Sequence, residues 1–502
     1  MNNLLNAMKN ATNYTFTENG GITHKTTNSD LLDMFAMGAA MRNRSNSDVI
    51  LMFKKAYEEN PELAMKMLFY IRDVRGGQGE RRFFRVCIHW MAQQETMVDS
   101  MRKNVEYIAE FGRWDDLYAL MDTPLQNDAL GVIKHQLALD VECKTPSLLA
   151  KWMKSENASS AETIRFGNMT REYLGMSHRE YRKVLAVLRE RINVLEVLMS
   201  ANRWDEIEFD KIPSKAGLIY KNAFARRDIV KARYEAFAKD TTTKVNAGTL
   251  YPYEVVEKAI QVMQTNYWRE SNIPLDDTNR LMVNKYWDNL TDYFNEAKLN
   301  ALCMIDTSGS MSGTPINVAV SLGLYCAERN KGPWHNHYIS FSSHPQLIET
   351  EGVDFCDKVN RIVRTNLCEN TNIEAAFDMI LRTAKVNKLK QSDIPEYLIV
   401  ISDMEFDYAQ GYGRYNNFTT DSAETTMETI ARHWEESGYK LPKLIYWNVD
   451  ARQPNIPMIG NHMVSYVSGF SPSIFKSIIT GKTGWDLMME AINNERYACI
   501  HA

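Results

Sequence analysis

The sequence predicts two structural parts: an N-terminal all-α helical-repeat domain and a C-terminal α/β domain with a doubly wound, Rossmann-like sheet. Three observations predict this division. From residue 28 to 299, apolar residues recur at helical spacing between short polar or glycine-containing turns. From residue 300 to 502, short apolar runs alternate with amphipathic segments, as in parallel sheets. Residues 1–27 are polar and precede both parts.

The N-terminal part contains no convincing strand. Two of its segments resemble each other, FGRWDDL (Phe111–Leu117) and ANRWDEI (Ala201–Ile207), which indicates stacked helical pairs of the HEAT or armadillo type, unless the match is coincidental. Trp114 and Trp204 are interpreted as core anchors. Helices are predicted at Leu31–Met41, Asp48–Glu59, Pro61–Asp73, Glu80–Gln94 and Met101–Glu110.

Composition limits the class of protein. With 502 residues and 44% hydrophobic residues, the chain can bury large cores. The net charge of -5 argues against a general nucleic-acid coat, although it allows a local basic face. The start of the sequence lacks an apolar signal, no run reaches the length of a membrane span, and the seven cysteines form no CxxC pair. We therefore expect a cytoplasmic protein with reduced thiols and no membrane partner.

The most informative stretch begins the C-terminal part. Leu302–Ile305 reads as a parallel strand buried on both faces, and it ends in a polar loop. Asp306, Ser308 and Ser310 alternate along that loop, so their side chains can converge at the carboxyl end of the strand. A carboxylate and two hydroxyl groups are ligands for Mg²⁺ or Mn²⁺. A serine-rich turn without a metal is the alternative.

The following segments place further polar residues at strand ends. Thr371 precedes a predicted helix, and Asp403 follows a predicted strand. The predicted elements are a helix at Pro315–Arg329, strands at His337–Phe341 and Leu347–Thr350, a helix at Ile373–Ala384 and a strand at Tyr397–Ile401.

This arrangement resembles the metal-ion-dependent adhesion site (MIDAS) of von Willebrand factor A domains. The resemblance implies that Asp306, Ser308, Ser310, Thr371 and Asp403 bind Mg²⁺ or Mn²⁺. It also implies that the bound ion recognises an acidic side chain of a partner protein.

The loop DVRGGQGERR is the most unusual feature of the N-terminal part. Its three glycines free the backbone, a helix begins near Glu80, and several arginines surround that helix start. Exposed N–H groups with guanidinium forks suit a phosphate or RNA backbone. Alternatively, the arginines pair with acids such as Asp73 inside the helical array. The candidate residues are Arg72, Arg75, Arg81, Arg82 and Arg85.

A second basic group lies on predicted helices near Tyr220 and Phe224. It is a second candidate RNA contact, although charged helix faces are more often simply solvated. Its members are Lys215, Lys221, Arg226, Arg227, Lys231 and Arg233.

Both parts together resemble Ro autoantigen-type proteins, in which a helical-repeat TROVE module precedes an A domain, and an uncharacterised cytosolic family with the same order of parts. The matching motifs are RDVRGGQGERR, KVNAGTLYPYEVV, DTSGSMSGTP, YWNVD and VSGFSPSIFK. The resemblance implies a ribonucleoprotein that binds single-stranded RNA ends or small structured RNA, without DNA specificity. Whether the helical array closes into a ring stays open.

The sequence shows no signature of an enzyme, such as a Walker loop, a Ser/His/Asp arrangement or a zinc motif. We therefore expect a binding protein. The main hypothesis is an RNA-binding protein of Ro type, and the alternative is a metal-dependent protein–protein interaction scaffold. A magnesium-dependent hydrolase is a remote third.

Overall fold

The computed structural model describes residues 12–192, 194–264, 273–341, 345–365, 372–407, 425–459 and 464–502. The chain divides into two compact units. The sheet unit comprises Met1–Asn60 and Leu250–Asn494, and the helical unit comprises Pro61–Thr249 and Glu495–Ala502.

Between residues 28 and 299 the described chain is helical and contains no strand, which confirms the helix-rich N-terminal region. No helix in the described ranges combines the length and apolar character needed to cross a membrane. In the described ranges before residue 300, the α-helices are α1 (Asp30–Met37), α2 (Asn46–Glu59), α3 (Pro61–Arg72), α4 (Arg81–Met91), α5 (Val98–Asn104), α6 (Ile108–Phe111), α7 (Gln126–Glu142), α8 (Leu149–Trp152), α9 (Ala161–Leu174), α10 (His178–Arg191), α11 (Leu195–Ser200), α12 (Ser214–Arg226), α13 (Asp228–Lys239), α14 (Pro252–Met263) and α15 (Thr278–Asp288).

Local chemistry explains several of these helices. Ser177 and Glu180 cap the start of α10 reciprocally, and α9 ends at Gly175 with a φ of 68°. The two similar segments of the sequence each place tryptophan at the start of a 3₁₀ helix, at Trp114–Leu120 and Trp204–Glu206. Trp204 is 3% exposed, as expected for a core anchor.

The C-terminal part forms a mixed sheet of six strands, which confirms its α/β character. The order across the sheet is β5-β4-β3-β6-β7-β8, and β5 pairs antiparallel while the other neighbours pair in parallel. β3 and β6 are buried at every position, which explains their continuous apolar sequences. The strands are β3 (Ala301–Asp306), β4 (His337–Phe341), β5 (Gln346–Glu349), β6 (Tyr397–Ser402), β7 (Lys443–Asn448) and β8 (Val464–Ser468).

The remaining elements complete the sheet unit. Strands β1 (Tyr14–Phe16) and β2 (Ile22–His24) form an antiparallel hairpin near the N terminus. The helices that follow β3 in the chain are α16 (Thr314–Arg329), α17 (Phe355–Thr365), α18 (Ile373–Val386), α19 (Thr426–Glu436), α20 (Phe475–Ile479) and α21 (Gly484–Ile492).

The compact units do not follow the boundaries expected at residues 28 and 300. Ser468 Oγ donates to the carbonyl oxygen of Phe35 at 2.8 Å and accepts from the N–H of Ala39 at 3.2 Å. The N–H of Ala451 donates to the carbonyl oxygen of Ala40 at 3.1 Å. These contacts join the end of α1 to the end of the sheet. Residues more than 400 positions apart make them, so no local pattern could reveal them.

Candidate functional site

The carboxyl edge of the sheet brings the ends of β3 and β6 together. Asp306 ends β3, Ser402 ends β6, and the two strands pair in parallel. Asp306 Oδ2 accepts a hydrogen bond from Ser402 Oγ at 2.5 Å, and Oδ1 accepts one from the N–H of Ser308 at 2.9 Å. The chain continues from β3 to β4 on one side and reaches β6 on the other. Ligands of open α/β sheets bind at such a switch point.

Four of the five residues expected to bind metal lie at this edge. The Oγ atoms of Ser308 and Ser310 are 3.0 Å apart. Asp403 directly follows Ser402, and its charge is close enough to act on Asp306. Thr371, the fifth residue, lies outside the described residues.

The edge carries more negative charge than its hydrogen bonds neutralise. Burial raises the pKa of Asp306 to about 7, and repulsion from Asp403 adds to the shift. Burial likewise raises the pKa of Glu405 to about 7, again with a contribution from Asp403. Glu405 Oε1 is buried and has no hydrogen-bond partner among the described residues.

Arg452 supplies a positive charge to this edge from the loop after β7. Its Nη2 lies 2.5 Å from Asp403 Oδ2, and its Nη1 lies 2.9 Å from Glu18 Oε2. The sequence analysis missed Arg452. The motif YWNVD marks the strand before it, but an ion pair across 49 residues has no sequence periodicity.

The N-terminal hairpin borders the same edge. Thr17 Oγ1 donates to the carbonyl oxygen of Phe406 at 2.6 Å. The N–H of Glu18 donates to Glu405 Oε2 at 2.6 Å, and Asn19 Nδ2 donates to the carbonyl oxygen of Glu405 at 2.5 Å. The polar N-terminal segment is therefore part of the surroundings of this site.

The residues at the edge fit a hard divalent cation. Carboxylate and hydroxyl oxygens are the ligands that Mg²⁺ and Mn²⁺ prefer. A cation would offset the repulsion that helps to raise the pKa of Asp306. Within the described ranges, no three or more His, Cys, Asp and Glu side chains are arranged to hold an ion. Any such site therefore depends on the hydroxyl groups of Ser308 and Ser310.

In the helical unit, the glycine-rich loop is held by internal hydrogen bonds. The N–H groups of residues 78–80 donate to backbone carbonyl oxygens of residues 70–73 at 2.7 to 3.1 Å. A Cβ at Gly77 would lie 1.9 Å from the carbonyl oxygen of Tyr70, so close packing requires that glycine. These N–H groups therefore do not form a cradle for phosphate.

The segment Glu495–Ala502 contacts the same loop. The fully buried carboxylate of Asp73 accepts from Arg496 Nη2 at 2.8 Å, from Arg496 Nε, and from the Tyr497 hydroxyl at 3.0 Å. The Tyr497 ring stacks on Phe111 at 5.5 Å between centroids. The loop thus has a structural role, and its contact with Arg496 and Tyr497 has no signal in the sequence.

The arginines around the loop divide by their contacts. Arg72 is 2% exposed, and its Nε donates to Asp116 Oδ2 at 2.8 Å. Arg85 Nε donates to Asp116 Oδ1 at 2.6 Å. Arg75 Nη1 donates to the carbonyl oxygen of Glu110 at 2.6 Å. These contacts correspond to the alternative in which the arginines pair inside the helical array.

The other candidate RNA contacts differ in exposure. Arg227 lies over the ring of Trp204 at 4.6 Å, and Lys231 Nζ lies 4.0 Å from Glu235. Arg233 donates to the carbonyl oxygen of Asp205 at 2.6 Å. The exposed members are Arg81, Lys215, Arg226, Arg227, Lys231 and Arg233, whereas Arg82 is half-buried and Lys221 is buried.

Two known proteins resemble this chain along most of its length. An uncharacterised protein of Acanthamoeba polyphaga mimivirus is 29% identical over 514 residues, which cover 94% of this chain and 85% of that protein. The crystal structure of the RO (RSR) protein of Deinococcus radiodurans matches with a TM-score of 0.49 and 13% identity, covering 93% of this chain and 100% of that one. The second similarity is too distant to carry an inference about function.

Family comparisons cover both sequence parts. A domain of unknown function (DUF7788) matches residues 300–497, the part that holds the sheet. Another domain of unknown function (DUF2828) matches residues 17–162 and 140–298, which together make up more than half of the chain. The chain therefore belongs to the DUF2828 family.

Proposed function

We propose that the sheet unit is a cation-dependent recognition module that binds an acidic side chain of a partner protein. The observation that carries the proposal is the meeting of Asp306, Ser308, Ser310 and Asp403 at the switch point of the sheet. These groups match a MIDAS-type set in kind and in order along the chain. Thr371 is proposed as the fifth member.

The roles of the residues follow from their chemistry. Ser308 and Ser310 present neutral hydroxyl oxygens, while Asp306 and Asp403 present carboxylates that attract a cation. A bound Mg²⁺ or Mn²⁺ would supply an electron-poor centre that accepts a further carboxylate. Arg452 offsets part of the charge of Asp403, so the edge retains its attraction for a cation mainly through Asp306.

Calorimetric titration of the full chain with Mn²⁺ tests this proposal. We expect saturable binding that Asp306→Ala abolishes. The matched control is Asp486→Asn, which changes an exposed carboxylate on the first turn of α21 and should leave the affinity unchanged. Wild-type protein without Mn²⁺ binding, or an Asp306→Ala variant with wild-type affinity, would contradict the cation site.

The recognition role needs a separate measurement. Partners held through the ion should be recovered in Mn²⁺ and lost in EDTA, and Asp306→Ala should lose the same partners. Recovery of identical partners under both conditions would remove the recognition role and leave the cation site intact.

RNA binding by the helical unit is the second candidate function. It is supported by the exposed face of α12, where Lys215, Asn222 and Arg226 recur at helical spacing, with Lys231 exposed on α13. Residues 61–249 contain 30 Lys and Arg against 26 Asp and Glu, whereas the whole chain is net negative. The sequence motifs that resemble those of Ro-type proteins, such as RDVRGGQGERR, support the same hypothesis, with single-stranded or small structured RNA as ligand.

Filter binding with single-stranded RNA tests the second candidate. Arg226→Gln combined with Lys231→Gln should weaken binding to all sequences alike and lower the salt slope by about 0.7 per lost contact. Lys183→Gln, an exposed change on α10, is the control. Wild-type protein without RNA affinity at low salt would leave the protein-interaction scaffold as the remaining reading. Both candidates describe a binding protein and no enzyme.

A further inference from the structure

Two carboxylates of the helical unit are shared by several cationic side chains. Asp116 is fully buried and contacts both Arg72 and Arg85, at 2.7 and 2.6 Å. Asp115 contacts Arg85 Nη2 at 2.9 Å and Arg113 Nε at 3.0 Å. Three guanidinium groups therefore depend on two carboxylates.

Two more cations add to this group. Lys154 is half-buried, and its ammonium lies 5.1 Å from the ring centroid of Tyr118. Glu162 is near enough to favour the charge of Lys154 without forming a close ion pair with it. Arg81 is exposed at the first position of α4 and close enough to Arg113 to repel its charge.

Burial and repulsion from neighbouring cations both lower the pKa of two of these side chains. Burial lowers the pKa of Arg113, and repulsion from Arg81 lowers it further. Burial lowers the pKa of Lys154, and Arg85 adds to that shift. Five cations share this region with the carboxylates of Asp115, Asp116 and Glu162, so the cations outnumber the acids. We call it the basic cluster: Arg72, Arg81, Arg85, Arg113 and Lys154 around Asp115 and Asp116.

We propose that the basic cluster binds a phosphate group. Arg72 is buried, and Arg72 and Arg85 both hold Asp116 in place, so the remaining donors of the cluster are Arg81, Arg113 and Lys154. The side chain of Arg113 is 30% exposed and lies over the ring of Trp152 at 4.2 Å. That contact orients the guanidinium plane of Arg113 next to the other cations of the basic cluster.

The charge balance favours phosphate over a single carboxylate. An excess of more than one positive charge is offset better by a dianion with several acceptor oxygens than by one carboxylate. Guanidinium forks also match phosphate geometry, while lysine contributes a compact charge. The site differs from the glycine loop, because its donors are side chains and not backbone N–H groups.

This proposal is independent of the two proposed functions. A free phosphate ion could bind a protein that takes up neither a divalent cation nor RNA, and phosphate groups of RNA could bind the same donors. The shared chemistry is the phosphate group, and the experiment separates its two sources.

The test titrates the full chain, in a low-salt chloride buffer, with inorganic phosphate and with a single-stranded RNA decamer. Inorganic phosphate should raise the melting temperature and bind measurably by calorimetry. Lys154→Gln and Arg113→Gln should each weaken phosphate binding about tenfold. Lys144→Gln, an exposed lysine outside the cluster, should bind phosphate like the wild type.

The results show whether the basic cluster binds phosphate and whether that phosphate is a free ion or part of RNA. If phosphate and RNA compete, the cluster holds phosphate groups of RNA; if phosphate binds and RNA does not compete, it holds a free phosphate. The proposal is overturned if up to about 10 mM phosphate neither binds nor stabilises the wild type. It is also overturned if folded Lys154→Gln keeps wild-type affinity, or if an octaglutamate peptide binds more tightly than phosphate.

Discussion

The carboxyl edge of the sheet and the basic cluster of the helical unit are opposite in charge, but in both regions charges of one sign outnumber those of the other. At the edge, Arg452 is the cation near three acids, Asp306, Asp403 and Glu405. The pKa of Asp306 is raised mainly by burial. In the cluster, cations outnumber acids, and burial lowers the pKa of Lys154. Each region thus holds charges that its own side chains leave partly unmatched.

Within the basic cluster, the buried charges and the accessible charges differ in their ion pairs. Asp116 meets two guanidinium groups and is fully buried, so that contact stabilises the fold. Among the described residues, Lys154 and Arg81, by contrast, form no close ion pair with an acid; Arg81 is exposed and Lys154 is half-buried. Matched charges therefore indicate structure, and unmatched charges indicate a ligand. Three predictions test this distinction, beginning with the largest effect.

Asp116→Asn should lower the free energy of unfolding of the helical unit by about 3 to 5 kcal/mol, because it leaves Arg72 buried without its counter-charge. The control is Asp122→Asn. Asp122 pairs with Arg165 at 2.8 Å, but both side chains are about half exposed, so its loss should cost about 1 kcal/mol or less. Urea unfolding followed by circular dichroism measures both. Equal effects would show that burial does not separate structural pairs from surface pairs.

Asp306→Asn should stabilise the metal-free protein at pH 8 by about 1 to 3 kcal/mol. In the folded protein the pKa of Asp306 is raised from 3.8 to about 7. The ionised form therefore opposes folding, and stability is lost as pH rises from about 4 to 7. Asparagine removes that loss. Thermal unfolding in EDTA at pH 5 and pH 8 measures the difference, which should appear only at the higher pH.

Added Mn²⁺ should distinguish the wild type from the Asp306→Asn variant. It should raise the melting temperature of the wild type at pH 8 and leave Asp306→Asn unchanged. A variant that is less stable than the wild type in EDTA would mean that Asp306 serves the fold and not a cation.

Lys154→Met should stabilise the protein slightly, by about 0.5 kcal/mol, in buffer without phosphate. The pKa of Lys154 is lowered by burial, so its charged form opposes folding at neutral pH. Methionine keeps most of the apolar stem beside Tyr118 and removes the charge. Melting temperatures without phosphate measure this effect, and added phosphate should reverse the order of the two proteins. A destabilised variant in both buffers would contradict the unmatched charge.

Sequence reasoning recovered the elements that have a local pattern. The strand at His337–Phe341 has the expected bounds, β3 is one residue longer than expected at each end, and β6 is one residue longer at its carboxyl end. The alternation of Asp306, Ser308 and Ser310 is visible over five residues, and their binding of a metal stays a prediction. Thr371 stays a prediction, since it lies outside the described residues.

The parts that sequence reasoning missed rest on contacts between distant residues. Arg452 reaches Asp403 from another strand end, and Lys154 joins the basic cluster through the fold of the helical array. The sequence of the loop after Arg72 allows two alternatives, a phosphate site and arginines that pair inside the helical array, and it does not reveal that the N–H groups of residues 78–80 donate to backbone carbonyl oxygens of residues 70–73. Hydrogen bonds and ion pairs of this kind have no period in the sequence.

The hydrogen bonds of Arg496 and Tyr497 to Asp73 have a consequence for biosynthesis. The partners of Asp73 lie 423 residues later in the chain. At about 5 to 20 residues per second, a ribosome would deliver them on the order of 20 to 80 seconds after the loop itself. Until then the carboxylate lacks Arg496 and Tyr497, so the helical unit cannot reach its final stability while the intervening residues are synthesised. Its completion is therefore a late event, timed by the emergence of a segment eight residues long.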